Sequence, residues 1–86
     1  MKQGDTKAAE KLACFATRLR VLRAEKDWTA EFVAEKIGLT KGQISNYENG
    51  VKEPGFITVL RLAELFDEEP GYLMCETDSR KLKKTV

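Results

Sequence analysis

The stretch "LTKGQISNYENG", Leu39 to Gly50, gathers the side chains best suited to specific polar contact: Lys41, Gln43, Ser45, Asn46 and Asn49, with Gly42 set among them. Asn and Gln carry a donor and an acceptor on one planar amide and can meet adenine with two hydrogen bonds, whereas Lys only donates, as to guanine. At 100° per residue a helix turns Gly42, Ser45, Asn46 and Asn49 to one side and Thr40, Ile44, Tyr47 and Glu48 to the other. A solvated helix face normally fills with Lys and Glu, so Ser, Asn and Gly there give up helix propensity. The pattern points to a face that meets base edges in a major groove, with Lys41 and Asn46 as leading readers and Gln43 and Ser45 as second choices. Gly42 leaves two readings open. A bare backbone at the helix tip permits close approach to a groove; equally, a glycine near a helix start costs at most about 1 kcal/mol and need signify nothing.

Other chemistry has little to work with. The chain has no histidine, which removes the commonest general base near neutral pH and half of the usual zinc ligand set. Cys14 and Cys75 are far apart and not spaced like metal ligands; they are expected to be two small apolar residues, not a disulfide. No catalytic residue, metal or cofactor is therefore expected. The 86 residues suit one small domain, and the balance of 42% hydrophobic and 34% charged residues is that of a soluble globular chain. No apolar run approaches the roughly 20 residues that span a bilayer. The opening "MKQGDTKAAEK" lacks the apolar segment of a secretory signal, so the expected address is cytoplasmic.

A net charge of +1 is weak support for a nucleic-acid partner, but the charge is unevenly distributed. From Glu10 to Lys26 there are five basic and two acidic residues; from Glu64 to Asp78 there are six acidic and none basic; basic residues return in "RKLKK", Arg80 to Lys84. A basic face is compatible with the near-neutral sum.

Five helical segments must position these residues, and strand alternation is absent. Leu12, Phe15, Leu19 and Leu22 recur at three and four within a first helix from about Lys7 to Lys26. The second opens on Thr29 as N-cap, with Trp28 able to staple onto Val33, and closes on Gly38 in a left-handed conformation. The third begins at Thr40, where Thr40 and Gln43 form a T-x-x-Q capping box and Leu39 can staple onto Ile44, and stops at Gly50. After a loop with Pro54 and Gly55 comes "FITVLRLAELF", an apolar helix through Ile57, Leu60, Leu62, Ala63, Leu65 and Phe66; "PGYLM" follows with Pro70 at a first helical position. The expected division is a flexible segment 1–9, a compact five-helix all-α domain 10–75, and a polar, basic and mobile tail 76–86.

The second and third helices share only "GLT", too short a loop for an antiparallel hairpin, so they should cross steeply as a helix-turn-helix. Ala34 is small where the axes come closest, Gly38 relaxes the turn, and Ile44 with Tyr47 supplies an apolar edge. "FVAEKIGLTKGQISNYENGVKEP", with "RLRVLRAEK" before it and "LRLAELFDEEPGYLM" after it, resembles the phage-repressor (Xre-type, lambda-repressor-like) helix-turn-helix domains, and "YENG" matches that family's signature at the end of the third helix. The resemblance covers about Phe15 to Met74. It implies sequence-specific double-stranded DNA binding by a transcriptional regulator, a repressor in the first instance, with a recognition helix at about Thr40–Asn49. Base readers at the first two positions and the sixth of that helix fall on Lys41, Gly42 and Asn46. One departure is plain: the Gln that holds a phosphate at the start of the family's second helix is Ala30 here.

Glu48 and Arg23 each lie on the inner side of their helices, while Arg18 and Arg20 point away, and two inward charges of opposite sign are most simply explained by pairing. The resembling family has a paired Arg and Glu at these positions. Phosphate contacts are expected from Thr29, Ala30, Thr40, Ser45, Asn49, Lys52 and Gly55, which orient the protein without reading sequence. A single helix-turn-helix reads few base pairs, so a homodimer on an inverted-repeat operator is expected, with Tyr72, Leu73 and Met74 as its surface, although Leu73 could equally close the core. The alternative function is a protein-interaction module of the same fold, such as an antitoxin with a toxin as its protein partner.

Overall fold

A computed structural model describes residues 3–80, with side chains from residue 7 on. Five helices follow in order: α1 (Gln3–Lys26), α2 (Ala30–Ile37), α3 (Lys41–Glu48), α4 (Phe56–Phe66) and α5 (Pro70–Leu73). There is no strand among the described residues, and no helix among them is long and apolar enough to cross a membrane. Residues 3–9, expected as a flexible lead-in, form the first turns of α1. The Ala and Lys content of "TKAAEKLA" explains this, since such residues lose little entropy in a helix even without a buried face.

The core is one cluster. Phe15, Leu19 and Leu22 of α1 meet Val33, Ala34 and Ile37 of α2, Ile44 and Tyr47 of α3, Val59, Leu62, Ala63 and Phe66 of α4, and Leu73 of α5. Each side chain of this kind removed from water contributes about 1.5–3 kcal/mol, so the 3.6-residue stripes determine which face of each helix turns inward. Trp28 lies with its ring 5.0 Å from Phe32 and 5.4 Å from Phe66, tying the start of α2 to the end of α4. Asp27 and Asp67 end α1 and α4 in the left-handed region, a role their short polar side chains tolerate.

The fourth helix divides its apolar residues unevenly. Val59, Leu62, Ala63 and Phe66 are buried, whereas Phe56, Ile57 and Leu60 are 69%, 56% and 38% exposed. The expectation of one continuous apolar helix therefore holds for half its circumference only; on the other half Phe56, Ile57 and Leu60 form an apolar stripe that no described residue covers.

Two expectations about the end of the chain are overturned. Cys14 and Cys75 form a disulfide across a sequence separation of 61, with their α-carbons 6.3 Å apart, where two independent small apolar residues were expected. Distance along the chain carries no information about this pair, because it is α5 folding back on α1 that brings the sulfurs together. Residues 76–80 are not a free tail either. Lys11 pairs with Glu76, Arg18 donates to the carbonyls of Tyr72 and Thr77 and to Asp78, and Arg80 bridges Glu25 and Glu68. The acidic residues of this strap find the cationic edge of α1. The remainder of the tail, Lys81 to Val86, lies outside the described residues.

Candidate nucleic-acid interface

Helix α3 is held from both ends. Thr40 Oγ1 accepts from the Gln43 N–H at 3.1 Å while Gln43 Oε1 accepts from the Thr40 N–H at 2.9 Å, which satisfies two N–H groups that the helix itself leaves open. At the other end Asn49 caps the helix and Gly50 follows with φ of 71°, while the N–H groups of Val51 and Lys52 return to the carbonyl of Asn46. The turn into α3 is equally defined. Gly38 takes φ of 76°, which an L side chain rarely adopts, and the N–H of Leu39 closes onto the carbonyl of Ala34 at 2.8 Å.

Rotation of α3 is fixed by one polar contact inside an apolar surround. Glu48 is only 6% exposed, and its two carboxylate oxygens accept from Arg23 Nε at 2.6 Å and Nη2 at 2.8 Å. Arg23 Nη1 also donates to the carbonyl of Trp28 at 2.9 Å, so a single guanidinium joins α1, the α1–α2 turn and α3. Its hydrogen bonds to Glu48 raise the Arg23 guanidinium further above its already high value, so this cation stays charged at any working pH. Arg20, expected to point away, is exposed, and its Nη1 also donates to the backbone carbonyl of Glu48. Arg18 was expected outward too; it lies over the ring of Tyr72 at 4.2 Å, among the strap contacts. Neither contact was foreseen, for one reason: arginines are long enough to reach a neighbouring element whatever face of their own helix they leave from.

With Ile44, Tyr47 and Glu48 buried, the opposite side of α3 is turned to solvent: Lys41, Gly42, Gln43, Asn46 and Asn49 are exposed and Ser45 is half-buried. Thr40, grouped with the inner side by helical geometry, is exposed, because its side chain serves the cap and not the core. Gly42 has no internal reason to be glycine. A Cβ there would meet only Thr40 Oγ1, at 3.9 Å, and its φ is not positive. Around this face lie the residues assigned to phosphates. Thr29 is the exposed N-cap of α2, its Oγ1 accepting from the Phe32 N–H at 3.0 Å, and Ala30 follows, half-buried against the core. Lys52 and Gly55 are exposed, Gly55 as the N-cap of α4.

The dimer residues expected on α5 do not form one surface. Leu73 is 0% exposed and belongs to the core, which removes it from any interface. Tyr72 is half-buried beneath the guanidinium groups of Arg18 and Arg80, and Met74 alone is exposed. The four-residue helix contributes its bulk to closing the core because it packs against α1 and α4, a tertiary fact with no local signature.

A five-helix unit in which a capped short helix presents a polar face, uncharged apart from Lys41, and is joined to a second short helix through a left-handed glycine, is a helix-turn-helix domain. A family model described as helix-turn-helix matches residues 19–73, and the chain belongs to that family. It is 36% identical over 50 residues to the HTH-type transcriptional regulator AnsR of Bacillus subtilis (strain 168), a match covering 58% of this chain and 43% of AnsR. It is 32% identical over 75 residues to the cryptic phage CTXphi transcriptional repressor RstR of Vibrio cholerae, covering 84% of this chain and 68% of RstR. Among solved structures it is similar to the restriction-modification controller protein C.AhdI of Aeromonas hydrophila, with a TM-score of 0.68 and 34% identity over 72% of this chain and 94% of C.AhdI. The chain spans about half the length of the first curated relatives it matches.

Proposed function

We propose that this chain binds double-stranded DNA sequence-specifically as a homodimer on an inverted-repeat operator and so represses transcription, acting in the cytoplasm. The observation that carries the reading is the outer face of α3: short, polar, uncharged apart from Lys41, and locked in orientation by the Arg23–Glu48 pair behind it. Lys41, Gln43 and Asn46 read base edges, with Gly42 letting the tip approach. Thr29, Ala30, Ser45, Asn49, Lys52 and Gly55 meet phosphates on either side, Ala30 through its backbone alone because it lacks the family's glutamine amide; Thr40, expected with them, has both its N–H and its hydroxyl turned to Gln43 Oε1. Repression is supported by the likeness to a transcriptional repressor. The dimer surface is assigned to the exposed stripe of Phe56, Ile57 and Leu60 on α4, since Leu73 is buried.

The same apolar stripe favours the second reading, a module that binds another protein. Salt separates the two. A selection from random duplexes at two salt concentrations should enrich an inverted repeat, with log affinity falling by about 0.9 per logarithmic unit of salt for each phosphate contacted. Absence of enrichment at low salt, or affinity indifferent to salt, would overturn DNA binding in favour of the protein partner.

A further inference from the structure

The capping box of α3 constrains what Gln43 can recognise. Its Oε1 accepts from the Thr40 N–H at 2.9 Å and lies 3.3 Å from Thr40 Oγ1, whose hydroxyl hydrogen can point at it. A backbone N–H only donates, so the carboxamide atom that meets it must be the oxygen, and the chain itself determines which way round the amide sits. Both acceptor positions of Oε1 are thus used within the first turn. Nε2, with two hydrogens, has no acceptor among the described residues, and Gln43 is exposed. Three residues on, Asn46 is exposed on the adjacent part of the same helix, with a whole amide to offer.

An unconstrained glutamine pairs with adenine by donating to N7 and accepting from N6. Gln43 lacks the free acceptor for that. Resting on the DNA-binding reading above, we propose that Gln43 is a specificity-determining, donor-only base reader whose Nε2 selects an acceptor edge, guanine O6 and N7 before any other, at the base pair beside the one met by Asn46. Guanine is favoured because its major-groove edge presents two acceptors and no donor, whereas adenine sets its N6 amino group beside N7. The Thr40 cap is then part of the recognition chemistry as well as of the fold: it consumes the half of the amide that would read adenine.

The experiment is a selection from random duplexes with the full chain and with Gln43→Glu. Glutamate preserves the cap, since T-x-x-E closes the same box, but replaces the outward amino group with a carboxylate oxygen. The wild type should enrich guanine at one position of each half-site. Gln43→Glu should keep its melting temperature, keep every other position, and exchange that guanine for cytosine on the same strand, whose N4 amino group donates to carboxylates. On the two matched duplexes, each protein should prefer its own by about tenfold or more, from roughly 1–3 kcal/mol per good base contact. Adenine at that position in the wild-type selection would overturn the proposal, because it requires the box to open. So would an equal loss of affinity by Gln43→Glu for all duplexes with its base preference unchanged, which is the behaviour of a phosphate contact. A wild type that enriches no sequence overturns the DNA reading itself, and this proposal with it, and is thereby distinguished from the other two outcomes.

Discussion

Two residues of α3 show how composition at single positions trades stability against contact. Glu48 is buried and held by two charged hydrogen bonds, so removing its charge leaves Arg23 facing a weaker acceptor in a poorly solvated place. Loss of one partner of a buried pair costs about 3–5 kcal/mol; the partial exposure of Arg23 puts Glu48→Gln near the lower end, roughly 3 kcal/mol. In a domain of this size that lowers the melting temperature by more than about 10 °C, and an unchanged thermal midpoint would mean that the pair does not hold α3 in place. Gly42 works in the opposite direction. Because a Cβ would meet nothing closer than 3.9 Å, Gly42→Ala should stabilise the helix by up to about 1 kcal/mol, visible as a higher midpoint in thermal denaturation. The same variant should bind its operator more weakly. Higher stability with undiminished affinity would show that the bare tip serves no close approach.

At the scale of elements, α2 and α3 were legible because their signals are local. Thr29, Gly38, Thr40, Gln43 and Gly50 each occupy the cap or turn position their chemistry suits, and all five lie within one stretch of chain. The pairing of Arg23 with Glu48 was legible because an inward charge demands a partner and each helix offered one. The strap of residues 76–80 was not, since its partners Lys11, Arg18 and Glu25 sit far back in the sequence and its polar composition alone reads as solvated. The exposed side of α4 was missed for a related reason: an apolar count cannot tell which half of a helix will be covered. The strap carries a pH dependence. Hydrogen bonds from Arg80 hold the Glu25 carboxyl below its usual range, so this contact stabilises the fold above the ordinary glutamate value and its contribution is lost as pH falls through the lowered one. Glu25 is nearly half-exposed, which keeps the effect small. An NMR titration should find the Glu25 carboxyl titrating low in the wild type and returning upward in Arg80→Ala; equal titration in both would remove Arg80 as the cause.

The molecule as a whole is closed within the chain by one covalent bond and, on the dimer reading, between copies by one apolar side. The Cys14–Cys75 bond encloses α2, α3 and α4 in a single loop of sequence separation 61, and constraining the unfolded chain over such a length contributes about 4 kcal/mol. Reduction should therefore lower the thermal midpoint markedly while leaving the base preference of α3 unaltered, because neither cysteine lies on that helix. The second closure follows from the stripe on α4. Ile57 and Leu60 are three apart and Phe56 is four before Leu60, so they form one side of one helix, and on the dimer reading proposed above this is the side that a second copy covers about a twofold axis. Arg61 and Glu64, exposed along the same side, are of opposite charge and so compatible with an antiparallel approach of two α4 helices. Leu60→Glu should then sediment as a monomer with an unchanged helical spectrum, since Leu60 contributes little to the core. Its affinity for an isolated half-site should match the wild type, and its affinity for the intact inverted repeat should fall toward that of the half-site, as the second binding event ceases to be intramolecular. A Leu60→Glu protein that still sediments as a dimer would place the twofold contact elsewhere, and Met74, the exposed residue that caps the end of α5, would be the next surface to test by the same measurement.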